Sequence, residues 1–169
     1  MKQFKRIAAR DISEGAVNLI GFEWMLITAG TPEDYNMMTA AWGGLGFLWN
    51  KPVAYIFIRP QRYTYRFVEN SSYFTLQFFD HSYRKMLNYC GTRSGRDVNK
   101  AEETGLSTFT SPNNGVYFDQ SRLQMECRKI YFNDLVAEHF IDPDINKHYP
   151  ENDYHRMYIG EITECLVKI

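Results

Sequence analysis

Short apolar runs cut by turn residues dominate the chain. Residues 24–29 form one such run, closed by Gly30, Pro32 and Asp34, and residues 36–41 resume beyond that break, the pattern of a β-hairpin. Residues 53–58 and 73–79 are almost wholly apolar, as expected of strands buried on both faces. Residues 122–130 alternate instead: Leu123, Met125 and Cys127 fall on one side, and Arg122, Gln124, Glu126 and Arg128 on the other, the period of a half-buried strand. Residues 157–169 read as a last strand, bent near Gly160. Helical signals are fewer. They cover 63–69, then 82–89 with a capping residue at its start and Gly91 just past its end, and 99–105 with Asn99 as cap and Glu102 three places on. The polar, proline-containing stretch 141–154 reads as an exposed loop. Six or more strands joined by turns and short helices predict a mainly β fold, a closed or partly closed antiparallel barrel.

Composition sharpens this picture. A chain of 169 residues is expected to form one domain, here 1–169, and at that size roughly 70% of the unfolded surface is buried on folding. Aromatic residues make up 16% of it, which favours strands and ring contacts with a ligand or a sister subunit. The net charge of −1 excludes a general nucleic-acid binder. Basic residues nevertheless gather at 59–66 and 93–100, which suits a small anion better than a polyanion. Cys90, Cys127 and Cys165 are widely spaced, with no CxxC pair and no zinc pattern, as in a reduced, cytoplasmic setting. The first fifteen residues lack the apolar run of a signal peptide, and no stretch of about 18 apolar residues is present to span a membrane.

Four segments hold candidate chemistry. In 36–44, Asn36, Met38 and Ala40 would share one strand face and Met37, Thr39 and Ala41 the other; small side chains there would let a planar ligand reach backbone N–H and C=O groups. Trp42 could stack on such a ligand, and Gly43 and Gly44 would permit unusual backbone angles. An ordinary strand with a glycine-rich turn has the same sequence. In 59–64, Arg59, Arg62, Tyr63 and Thr64 follow a strand and open a helix, where free N–H groups, guanidinium groups and a hydroxyl suit a phosphate; a solvated basic turn is the alternative. In 90–100, Ser94, Arg96 and Lys100 offer an anion cradle that is not a Walker loop, since no GK[ST] is present. Cys90 at its start is more simply packed than reactive. In 155–161, His155 precedes a strand and could line the mouth of a site, or lie on the surface. No hydrolase triad or metal set is visible.

Together these segments resemble the flavin reductase-like family, whose members bind FMN in a split β-barrel, and within it the flavoredoxin-type branch. The resemblance rests on NMMTAAWGG at 36–44, PVAYIFIRPQRYT at 52–64, YFTLQFF at 73–79, CGTRSGRDVNKAEETGL at 90–106, LQMECR at 123–128 and HRMYIGEI at 155–162. It implies a dimerising split barrel with FMN near the subunit interface. Asn36, Met37, Met38, Thr39, Ala40 and Trp42 would lie along the ring. Arg59, Arg62, Tyr63 and Thr64 would take the phosphate, with Cys90, Ser94, Arg96 and Lys100 beside it. Gln77, where relatives often carry Asn, would touch the flavin or the interface. His155 would stand near an approaching nicotinamide, although Tyr154 replaces the Asp that many relatives place before it. The implied activity is hydride acceptance from NADH or NADPH and electron transfer to flavin or another acceptor, with no protein residue as catalyst. An FMN-carrying electron-transfer or sensor protein, and a barrel that has lost flavin, are the other readings.

Overall fold

The computed structural model, which describes residues 4–169, turns the apolar runs into strands of an antiparallel sheet. The strands are β1 (Phe4–Arg6), β2 (Met25–Thr31), β3 (Asp34–Ala40), β4 (Gly43–Leu48), β5 (Lys51–Ile58), β6 (Tyr73–Phe78), β7 (Thr108–Thr110), β8 (Val116–Phe118), β9 (Leu123–Asp134) and β10 (Arg156–Lys168). Eight of them run in the order β3-β2-β6-β9-β10-β5-β4, with β1 added to β10; β7 and β8 form a separate hairpin. Helices α1 (Tyr63–Asn70), α2 (Arg84–Thr92) and α3 (Lys100–Thr104) are short. The architecture is mainly antiparallel β with few helices, that of a split barrel.

Alternation along the strands fills two cores. Met25, Ile27, Met38, Ile56, Ile58, Phe74, Leu76, Met125 and Tyr158 pack into the larger one. Leu26 and Met37, on the opposite faces of β2 and β3, meet Phe79, Met86, Leu87, Cys90 and Phe118 in a second core beneath α2 and α3. The apolar run of β6 is buried on both faces, as expected. In β5, Tyr55 and Phe57 are only half-buried: Tyr55 lies against Gly44 and Gly46 of β4, and Phe57 lines an open cleft.

The alternating strand departs from expectation. Gln124 and Glu126, placed on a solvent face by their polarity, are completely buried. The β7–β8 hairpin covers that face. The Glu126 carboxylate accepts bonds from the Asn113 amide nitrogen (3.0 Å), from Asn113 Nδ2 (2.6 Å) and from the Ser111 hydroxyl, and Gln124 Nε2 donates to the Phe118 carbonyl at 3.0 Å. Alternation separates two chemistries; it does not tell which of them meets water.

Glycines act here by close approach. Gly43 lies in a strand, not a turn, and a Cβ on it would sit 2.5 Å from the Tyr55 carbonyl oxygen. A Cβ at Gly160 would sit 2.6 Å from Phe74 Cζ, at a register shift between β10 and β9 where the sequence predicts a bend. Gly91 falls inside α2 rather than beyond its end, and brings that helix down onto Thr39. The expected cap of α3 is present: Asn99 Oδ1 accepts from the Glu102 amide, and Gly105 closes the helix at φ 66°.

The stretch 141–154 is not simply an exposed loop. Pro143–His148 forms a 3-10 turn, and Tyr149 behind it is buried. All three cysteines are buried and free. No helix among the described residues is long and apolar enough to cross a membrane.

Candidate functional site

Two clefts meet at Arg62. The first, of about 190 Å³, is lined by Met38, Thr39, Ala40, Ala41, Trp42, Phe57, Arg59, Arg62 and His155. The second, of about 210 Å³, is lined by Asn36, Gln61, Arg62, Tyr63, Thr64, Gly91, Thr92, Arg93, Ser94, Gly95, Arg96 and Lys100. The end of β3 floors one and its middle borders the other, so a single ligand with a planar part and an anionic tail can lie across both.

The second cleft is built for an anion. The amino end of α1 lines it, where helix geometry leaves backbone N–H groups without intrahelical partners. Arg62 is half-buried and donates to the Gly91 carbonyl at 2.9 Å; burial and the neighbouring Arg59 guanidinium depress its pKa. Lys100 is 4% exposed, and its ammonium donates to the carbonyls of Met37 and Cys90, both at 2.8 Å. Burial, with Arg62 adding to it, pushes its pKa down to about 8. Among the described residues no carboxylate lies within ion-pair distance of Arg62, Arg96 or Lys100. Burying cations without counter-charge is costly unless an anion arrives. Asn36 Nδ2 donates to Thr64 Oγ1 at 2.8 Å, which leaves the Thr64 hydroxyl proton free for another acceptor. Gly95 keeps the cradle open, since a Cβ there would sit 2.0 Å from Asn36 Oδ1. Arg96 lies over the Tyr63 ring, 4.9 Å from its centroid.

The first cleft joins aromatic side chains to the Arg59 and Arg62 guanidinium groups. Trp42 packs against His155, with ring centroids 4.9 Å apart. The Tyr149 hydroxyl lies 2.9 Å from His155 Nδ1, and burial, with Arg59 adding to it, pushes the His155 pKa down to about 4, so the ring is neutral near pH 7. Arg59 donates to Asp153 Oδ2 at 2.6 Å and to the His148 carbonyl at 2.7 Å. Thr39 donates to the Leu87 carbonyl at 2.5 Å, tying β3 to α2.

The structure therefore brings together most of the expected residues and redistributes some. Arg59 borders the first cleft, not the second, where the basic turn was expected to take a phosphate, and is already paired. Met37, Gln77 and Cys90 line neither cleft. The Met37 side chain points into the second core, and only its carbonyl reaches the site, through Lys100. Gln77 is fully buried, donating to Thr75 Oγ1 at 2.7 Å and to the Val116 carbonyl at 3.0 Å. Cys90 is packed in the second core, where burial pushes its thiol up to about 11. Of the other tryptophans, Trp24 stacks under Arg84, while Trp49 is exposed at the β4–β5 turn and lies outside the core. Reading by segment missed Tyr149, Asp153 and Phe57. The first two come from a polar loop whose only signal was an aromatic residue beside Pro150.

A flavin reductase-like domain model matches residues 19–168. The chain belongs to that family. Among solved structures it is similar to an FMN-binding domain of a flavin reductase-like enzyme from Shewanella baltica, with a TM-score of 0.72 and 18% identity over 99% of this chain and 78% of that one. It is similar to a flavoredoxin from Desulfovibrio vulgaris (Miyazaki F), with a TM-score of 0.68 and 20% identity over 97% and 76%. It is also similar to an NADH:FAD oxidoreductase from Streptomyces globisporus, in complex with NAD and FAD fragments, with a TM-score of 0.63 and 11% identity over 85% and 73%. A search of curated proteins found no match. The residues present fit the family's cofactor: the buried Lys100 and the half-buried Arg62, both uncompensated among the described residues, a free hydroxyl proton and a glycine-lined cradle stand beside a cleft walled by Trp42 and Phe57.

Proposed function

We propose that this chain is an FMN-dependent oxidoreductase that takes hydride from NADH or NADPH and passes electrons to free flavin or another small acceptor. The observation that carries the cofactor is the pair Arg62 and Lys100, the first half-buried and the second buried, with no carboxylate partner among the described residues. When bound, FMN supplies the redox chemistry. The chain's own residues bind and orient. Arg62, the Thr64 hydroxyl and the amino end of α1 hold the phosphate. Met38, Thr39 and Ala40 let the ring approach the β3 backbone. Trp42 and His155 wall the open side. A second copy of the chain would complete the site, and the buried free thiols fit a cytoplasmic setting. Nicotinamide donation is supported by the NADH:FAD oxidoreductase among the similar structures.

The second reading is an FMN electron-transfer protein without nicotinamide turnover. It is favoured by the neutral His155 and the occupied Arg59 at the outer cleft. One experiment separates the two. Protein reconstituted with FMN should be yellow, and anaerobic NADH or NADPH should bleach it. Colour without bleaching selects the second reading, and failure to take up FMN ends both.

A further inference from the structure

Two guanidinium groups stand side by side where the clefts meet, yet only one has a carboxylate. Arg62 has none. Arg59 has Asp153, from a loop that departs from the sheet after β9 and returns at β10. The pair is largely shielded, with side chains 28% and 12% exposed. The loop uses more than one contact. The His148 carbonyl takes the second arm of the Arg59 guanidinium, the Tyr149 ring lies 5.2 Å from its carbon, and Gln61 donates to the same Asp153 oxygen as Arg59. Both terminal nitrogens of Arg59 are thus met by the chain itself.

We propose that Asp153 is a specificity-determining residue: it occupies the anion-accepting edge of Arg59 as an internal substitute for a phosphate, and so holds down the affinity of the site for negatively charged second substrates. This rests on the FMN reading above. The hold is one a substrate can displace. Arg59 and Asp153 meet through one nitrogen and one oxygen, not as the stronger two-pronged fork. The other carboxylate oxygen, Oδ1, is buried without any hydrogen-bond partner, a standing cost that releasing the carboxylate to water would remove. With Asp153 in place and Arg62 matched by the FMN phosphate, the remaining wall is neutral and aromatic, formed by Trp42, His155 and Phe57, which favours a donor or acceptor without phosphates. With Asp153 displaced, Arg59 becomes a free cation beside the phosphate-holding Arg62.

The test uses FMN-loaded wild type and Asp153→Asn. Two donors are compared: NADH, which is anionic, and N-benzyl-1,4-dihydronicotinamide, which carries the same reacting ring without phosphates. Asp153→Asn should raise the ratio of kcat/KM for NADH over the neutral donor about tenfold, through KM. Calorimetry with NAD+, which cannot react, should show its Kd tighten by a similar factor, and added salt should erase the gain. The double variant Arg59→Gln/Asp153→Asn should lose the gain, and Asp153→Ser supplies a second charge removal should the Asn variant misfold. An FMN-loaded, folded Asp153 variant whose donor ratio and NAD+ affinity match wild type overturns the proposal, as does a gain that survives in the double variant. Wild-type protein that takes up no FMN is a different result, and overturns the reading of the site itself.

Discussion

At the scale of single residues, charge and burial decide the behaviour of the site. Arg62→Ala removes a charge-assisted bond worth about 1.5–3 kcal/mol, so FMN affinity should fall roughly 10- to 100-fold in a fluorescence-quenching titration. Lys100 adds a pH dependence. Its pKa of about 8 means that it loses charge as pH rises through that value, so FMN affinity should weaken above about pH 8, and Lys100→Met should bind less tightly and lose that dependence. His155 acts on stability instead. Its folded pKa, about 4, lies below the ordinary 6.5, so between those values the unfolded chain binds more protons. Stability should rise with pH across that window, be fully present above about pH 6.5, and be lost toward pH 4, by at most roughly 3 kcal/mol. Melting temperature against pH for wild type and His155→Gln checks this; the variant's curve should be flatter.

At the scale of elements, close packing places the site. Arg62, Tyr63 and Thr64 reach the second cleft because α1 starts a short turn after β5, and Lys100 reaches it because Asn99 starts α3 at that point. Asn99→Ala should cost about 1 kcal/mol of stability and loosen FMN binding, read by denaturant titration and by Kd. Gly95→Ala drives a methyl group onto Asn36, so FMN affinity should fall more than stability does. These elements were legible in advance because caps, turn residues and apolar runs are local signals. The helix after β5, the capped α3 and the β2–β3 hairpin all follow from neighbours in sequence. The burial of Gln124 and Glu126 was not legible, since the hairpin that covers them pairs only with itself. Nor was the inward face of Met37, Gln77 and Cys90, because sharing a segment with site residues does not fix which way a side chain points.

At the scale of the whole molecule, ligand and partner should both register. Saturation at 100 times Kd stabilises a folded protein by about 2.7 kcal/mol, so FMN should raise the melting temperature by about 5–10 °C. The absence of such a shift would contradict the proposed cofactor. Light scattering should report a dimer if a second copy completes the site. The amino-acid sequence by itself determined the β-rich class, the short helices and the basic, small-residue segments around the two clefts, because periodicity and capping act over a few residues. Only the tertiary structure decided which cations stay without a partner. Arg59 and Arg62 are three positions apart and chemically alike. They differ because a loop some ninety residues later in the chain returns Asp153 to one and not the other, and which charges meet across such a distance is set by the path of the backbone, not by the residues beside them.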